Sequence, residues 1–229
     1  MAGSSLSAMA KRIYLLAGHY GSGKTNIAVN LALKLKSEGK AVRIADLDIV
    51  NPYFRTKDSA KVLEEAGIEL ISPAFANTNV DLPALPAAVY SIVQQRDFYA
   101  VMDIGGDDRG AYALGRYAPA ILEENNYEMC YVANFYRPLT PTPQDALEIM
   151  QEVEQAAGIP FTAIIHNSNL GNSTDAKAVE ATFEKANELA ALSGLPILYT
   201  AVRADLADKI SAENILPLHL QEKYYDIEE

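Results

Sequence analysis

The chain has 229 residues, 49% of them hydrophobic, enough for one large α/β domain with a substantial core. A net charge of -11 and an isoelectric point near 4.8 argue against direct binding to nucleic acid or anionic lipid, both of which need clustered Lys and Arg. The single cysteine excludes a disulfide within the chain and a multi-thiolate metal site, and the absence of any run of about 18 apolar residues excludes a membrane span.

Residues 1–10 are small and polar, with neither a basic start nor a long apolar segment. They read as a disordered tail or expression remnant and not as a signal peptide, which leaves 11–229 as one domain in a cytoplasmic protein without a membrane anchor. The apolar run Ile13 to Ala17 predicts a strand, and Gly18-His19-Tyr20-Gly21-Ser22-Gly23-Lys24-Thr25 follows it directly. This is a complete G-x-x-x-x-G-K-[ST] phosphate loop. Its glycines let backbone N–H groups wrap phosphates without steric clash, its lysine reaches the β- and γ-phosphates, and its threonine hydroxyl is suited to ligate Mg²⁺. The helical pattern from Thr25 to Ser37 aims a helix N-terminus at the same anion, and Gly39 supplies a C-cap. The stretch from Gly18 to Asn26 is therefore expected to bind a nucleoside triphosphate.

The next strand, Ala41 to Ala45, runs into Asp46-Leu47-Asp48. Alternate side chains of a strand share a face, so the two carboxylates point the same way, towards a metal and an attacking water. The segment Ile49 to Arg55 is apolar and aromatic for a loop and reads as a contact surface or switch. A strand over Ile68 to Ile71 and a helix over Leu82 to Gln94 come next. The strand Tyr99 to Ile104 then ends in Met102-Asp103-Ile104-Gly105-Gly106. An aspartate at a strand end with a glycine three residues on is the Walker B and switch II arrangement: Asp103 holds Mg²⁺ through water, and the Gly106 amide approaches the γ-phosphate. Asp107-Asp108-Arg109-Gly110 reads as a segment able to rearrange when that phosphate is lost.

Beyond it lie a strand over Met129 to Ala133, where Cys130 reads as a buried core thiol, and a helix over Pro143 to Ala157. A strand over Phe161 to Ile165, a helix over Asp175 to Leu192 and a strand over Ile197 to Val202 complete the pattern. Near-continuous apolar strands alternating with helices predict a three-layer α/β P-loop NTPase fold, a mostly parallel sheet of about seven strands with helices on both faces. Ligands of such sheets gather beyond the carboxyl ends of the strands. The polar, glycine-rich and prolyl segments sit there: Asp103 to Arg109, Asn134 to Pro138, His166 to Asn172 and Arg203 to Asp205.

With the loop, the Asp46/Asp48 pair and Asp103-x-x-Gly106 in this order, the chain resembles the CobQ/CobB/MinD/ParA nucleotide-binding family, and within it the ParA/MinD-like ATPases. The resemblance implies a Mg²⁺-dependent ATPase that switches between ATP and ADP, acts on a protein partner and forms a nucleotide-dependent homodimer. It implies that Lys24 binds phosphate and takes part in catalysis, that Thr25 ligates Mg²⁺, that Asp48 positions the hydrolytic water, and that Asp46 and Asp103 support the metal. It further implies that Asn167 hydrogen-bonds the adenine and that the loop from Arg203 to Asp205 closes over the base. The absence of the guanine-reading N-K-x-D pattern at Asn167-Ser168-Asn169-Leu170 agrees with adenine.

One position departs from that family. The usual K-G-G-x-G-K-[ST] loop carries an extra lysine where this chain has His19, followed by Tyr20 in place of glycine. An imidazole is shorter and mostly neutral at pH 7, so the additional charge is absent or comes from elsewhere, Arg55 and Arg109 being the candidates in the switch-like segments. The acidic C-terminus does not match the basic membrane helix of MinD. Two other readings of the same fold stay open: an ATP-dependent biosynthetic ligase, dethiobiotin-synthetase-like or cobyrinate-amidating-like, with a pocket from Tyr53, Arg55, Tyr112 and Arg116, and a nucleotide-sensing module with little hydrolysis.

Overall fold

A computed structural model of the chain describes residues 10–47, 60–71, 87–106 and 108–220. Eight strands form one sheet in the order β3-β2-β4-β1-β5-β6-β7-β8, and every pairing is parallel. They are β1 Ile13–Ala17, β2 Val42–Leu47, β3 Glu69–Ile71, β4 Tyr99–Ile104, β5 Tyr127–Ala133, β6 Ala163–His166, β7 Ile197–Arg203 and β8 Ile215–Leu218. The helices are α1 Lys24–Ser37, α2 Ala60–Glu65, α3 Ala87–Gln94, α4 Asp108–Gly115, α5 Ala118–Glu124, α6 Pro143–Ala157, α7 Ala176–Glu180 and α8 Phe183–Ser193.

The strand period of two divides the core. Ile13, Leu15 and Ala17 of β1 face one layer, where they meet Val89 and Ile92 of α3, Leu114 of α4, Met150 of α6 and Leu189 of α8. Tyr14 and Leu16 face the other, against Ile27, Leu31 and Leu35 of α1 and Leu63 of α2. Helices therefore cover both faces, and all five residues of β1 are buried. A parallel sheet requires this, because neither of its faces is left to water.

Below the sheet, at the start of β1, Arg12 forms an ion pair with Glu124 at the end of α5, and each side chain is 6% exposed. Its Nη2 also donates to Ile92 O at 2.9 Å. Helix α6 starts on a capping box, in which the Thr142 hydroxyl accepts from Asp145 N and the Asp145 carboxylate accepts from Thr142 N, and it ends at Gly158 in the left-handed region. Among the described residues no helix is long and apolar enough to cross a membrane.

The fold differs from expectation in three places. An eighth strand, Ile215–Leu218, lies at the edge, where Pro217 is tolerated because only one neighbour needs its backbone groups. The pattern from Asp175 to Leu192 is two helices, not one. The chain breaks at Thr182, whose buried hydroxyl donates to Val179 O at 2.8 Å and shares a 2.8 Å hydrogen bond with His166 Nε2. Beyond Gly106, helix α4 begins at Asp108. Arg203 to Asp205 leads into a 3-10 helix over Ala204–Lys209 instead of an irregular loop.

Candidate functional site

Strand β1 lies between β4 and β5 at the centre of the sheet, so the loop that follows it emerges between their carboxyl ends. Gly23, the residue before α1, has φ 94°, and a Cβ there would stand 2.4 Å from Asn167 Nδ2. Only glycine fits both constraints. Lys24 is 6% exposed and folds back over the loop, its Nζ donating to Gly18 O at 2.9 Å and to His19 O at 3.3 Å. Ser22 N donates to the same His19 carbonyl at 3.1 Å, and His19 Nδ1 donates to Tyr20 O at 3.0 Å. The Ser22 hydroxyl is buried with no hydrogen-bond partner among the described residues.

On the β4 side, the Thr25 hydroxyl donates to Asp103 Oδ2 at 2.7 Å. Asp46 of β2 pairs in register with Asp103, and the two carboxylates are 4% and 2% exposed. Gly106 packs its backbone on the loop: a Cβ there would lie 2.8 Å from Tyr20 N and 3.0 Å from Lys24 Nζ. Any side chain at this position would push the loop aside. Among the described residues no group of three or more His, Cys, Asp or Glu converges as a protein-only metal cage. What converges is one hydroxyl beside one carboxylate, both hard oxygen donors of the kind Mg²⁺ takes when phosphates and water complete its shell.

On the other side, the loop is held by β5 and β6. Asn167, 4% exposed, donates Nδ2 to Ser22 O at 2.7 Å, and its backbone N–H extends the ladder to Ala133 O at 2.8 Å. Its amide is thus engaged with the phosphate loop itself. Asn134, 1% exposed, opens the segment expected at this edge and is a hydrogen-bonding hub there. Its Oδ1 accepts from Tyr136 N at 3.1 Å and Asn169 N at 3.3 Å, and its carbonyl accepts from Thr140 Oγ1 at 3.1 Å. Ser168 Oγ accepts from Phe135 N at 3.1 Å. Arg203 pairs with Asp205 and donates Nη1 to Asn172 O at 3.3 Å, which joins the segment after β7 to the segment after β6.

Of the residues expected at the site, Gly18 to Asn26, Asp46, Asp103, Gly106 and Asn167 come together at the carboxyl edge of the sheet. Asp48, Tyr53 and Arg55 lie outside the described residues, as does the side chain of Arg109. Tyr112 is 67% exposed on α4. Burial pushes the Cys130 thiol well up, and this, with its place in β5, removes it as a nucleophile. His166, next to Asn167, is held neutral by burial, its pKa lowered to about 4.

No protein-family model matches the chain, and no curated protein matches it. Among solved structures it is similar to the cell division protein FtsY of Thermotoga maritima, with 19% identity, 84% of this chain and 62% of that one covered, and a TM-score of 0.56. The signal recognition particle receptor FtsY of Elizabethkingia anophelis gives 20%, 94%, 64% and 0.55. The 54 kDa signal recognition particle protein of Aeropyrum pernix, in complex with GDP, gives 20%, 82%, 40% and 0.53. The chain spans less than two thirds of the length of each. Likeness at this level establishes the three-layer P-loop NTPase fold and does not support the CobQ/CobB/MinD/ParA family in particular.

Proposed function

We propose that the chain is a Mg²⁺-dependent nucleotide-binding switch with ATPase activity that acts on a protein partner. The observation that carries this reading is the Thr25–Asp103 hydrogen bond beneath a complete phosphate loop. It joins the residue types that hold Mg²⁺ in P-loop enzymes, from two elements far apart in sequence. When bound, the ion neutralises developing charge on the β- and γ-phosphates. Lys24 exchanges the carbonyls of Gly18 and His19 for phosphate oxygens, Thr25 and Asp103 hold the ion directly or through water, and Asp46 supports them. Asp48 keeps the role of orienting the attacking water. Gly106 offers its amide to the γ-phosphate, so the start of α4 follows the presence of that group.

ATP is the proposed nucleotide. A guanine base presents N–H donors that call for a carboxylate, and in the N-K-x-D position this chain has Leu170, exposed at 48%. Tyr20 and Tyr112, 60% and 67% exposed, support a protein partner or a second copy docking beside the nucleotide. Calorimetric titration with ATP, ADP and GTP, with and without Mg²⁺, tests the reading. ATP binding that needs Mg²⁺ and vanishes in Lys24→Ala is expected, with phosphate release lost in Asp48→Ala. Tighter GTP than ATP binding would overturn the base assignment, and binding of neither would overturn the function.

A further inference from the structure

We infer that Arg137 is a phosphate-contacting residue of the nucleotide site. The assignment rests on the nucleotide-binding reading of the loop. Arg137 follows β5 in Asn134-Phe135-Tyr136-Arg137-Pro138, 116 positions from Gly21. The fold nevertheless lays its guanidinium against the middle of the phosphate loop. The three atoms nearest to where a Gly21 Cβ would stand all belong to it: Cζ at 3.3 Å, Nε at 3.4 Å and Nη1 at 3.6 Å.

Arg137 has no acidic partner there. Among the described residues no carboxylate lies within ion-pair distance of it, and its Nε is buried without a hydrogen-bond acceptor. Arg137 is half-buried, and its Nε is left with hydrogen-bonding capacity that the described residues do not use. An anion held by the loop supplies the acceptor, because the planar guanidinium fork matches phosphate oxygens.

The backbone that carries Arg137 is also held in place. Arg137 N donates to Asn134 O at 3.2 Å, and Thr140 N donates back to Arg137 O at 3.1 Å. Tyr136 OH is fixed to Ala178 O at 2.8 Å, and Pro138 lies two residues before the Thr140 hydroxyl that anchors on Asn134. A solvated surface arginine needs no such frame. A side chain that must meet a ligand at one place does.

Calorimetric titration of the full chain with ATP and ADP at low and high KCl tests the assignment, using Arg137→Met, Arg137→Gln and Arg137→Lys. Arg137→Met and Arg137→Gln are expected to bind both nucleotides about ten- to a hundredfold more weakly, with a smaller response to salt, and Arg137→Lys to recover part of the loss. Melting without nucleotide should change little. Should Arg137→Met fail to fold, Arg137→Gln, which keeps the polar head, carries the test. Binding by the neutral variants at wild-type affinity and salt response overturns the assignment while leaving the site reading intact. So does an equal loss of affinity for adenosine, which has no phosphate. A wild-type chain that binds no nucleotide overturns the reading beneath it as well.

Discussion

The contact between Gly23 and Asn167 makes a quantitative prediction. Gly23→Ala adds a methyl 2.4 Å from Asn167 Nδ2 at a residue with φ 94°. The left-handed backbone alone costs a non-glycine residue about 1–2 kcal/mol. The methyl also displaces the Asn167 amide from Ser22 O, a 2.7 Å bond to a side chain 4% exposed, and orphaning such a buried pair costs about 1–3 kcal/mol. Gly23→Ala should therefore lose about 2–5 kcal/mol of stability in total. Asn167→Ala should lose about 1–3 kcal/mol, since it removes the same hydrogen bond without the strain. In the double variant that bond is lost only once, so the two substitutions should couple by about 1–3 kcal/mol. Urea unfolding of the four chains, extrapolated to water with the slopes compared, measures this. Additive losses, or a Gly23→Ala chain as stable as wild type, would refute the idea that Asn167 tethers the loop.

Thr25→Ala should leave ATP affinity in EDTA nearly unchanged but remove most of the gain on adding Mg²⁺, whereas Thr25→Ser should keep it, by calorimetry. Glu124→Ala should cost about 3–5 kcal/mol in urea unfolding, because it leaves the 6% exposed Arg12 guanidinium buried without its counter-charge. His166 is lowered to about 4 in the fold and titrates near 6.5 when unfolded. The unfolded chain thus binds the extra proton between those values, and stability should fall by up to about 3 kcal/mol as pH drops through that window. The difference in unfolding free energy between wild type and His166→Gln should show that slope. The buried Cys130 thiol should react with a disulfide reagent only as fast as the chain unfolds.

The parts of the fold legible in sequence are those where one short stretch carries the whole signal. β1, the phosphate loop and α1 form a contiguous block in which apolar run, glycines and helical pattern each demand the next. β4 with Asp103, and α6 from Pro143 to Ala157, are likewise self-contained. β8 was missed because four residues with a central proline make a weak pattern, and pairing with β7 alone defines it. The break between α7 and α8 lies at Thr182, whose hydroxyl meets a histidine 16 residues away, a contact that no local spacing carries. The polar frame around Asn134 and the place of Arg137 follow from β5 lying beside β1, and no local spacing carries that adjacency.

That adjacency also explains why one loop can serve two purposes. The central strand delivers Gly18 to Thr25 between two flanks of different chemistry. The β4 flank is acidic and offers Asp103 and Asp46, with Gly106 packed on Tyr20 and Lys24, so under the proposed function what is bound at the far end of the phosphates would bear on α4. The β5 and β6 flank is amide-rich and offers Asn134, Asn167 and Asn169, hydrogen-bonded among themselves and to Ser22. Neutral amides can hold a loop in place without repelling an anionic ligand, as a carboxylate would. A carboxylate is needed only where a cation must sit. The segregation of Asp to one side of β1 and Asn to the other is therefore what the proposed chemistry requires: a flank free to respond to the terminal phosphate, and a flank that keeps the cradle in place while it does.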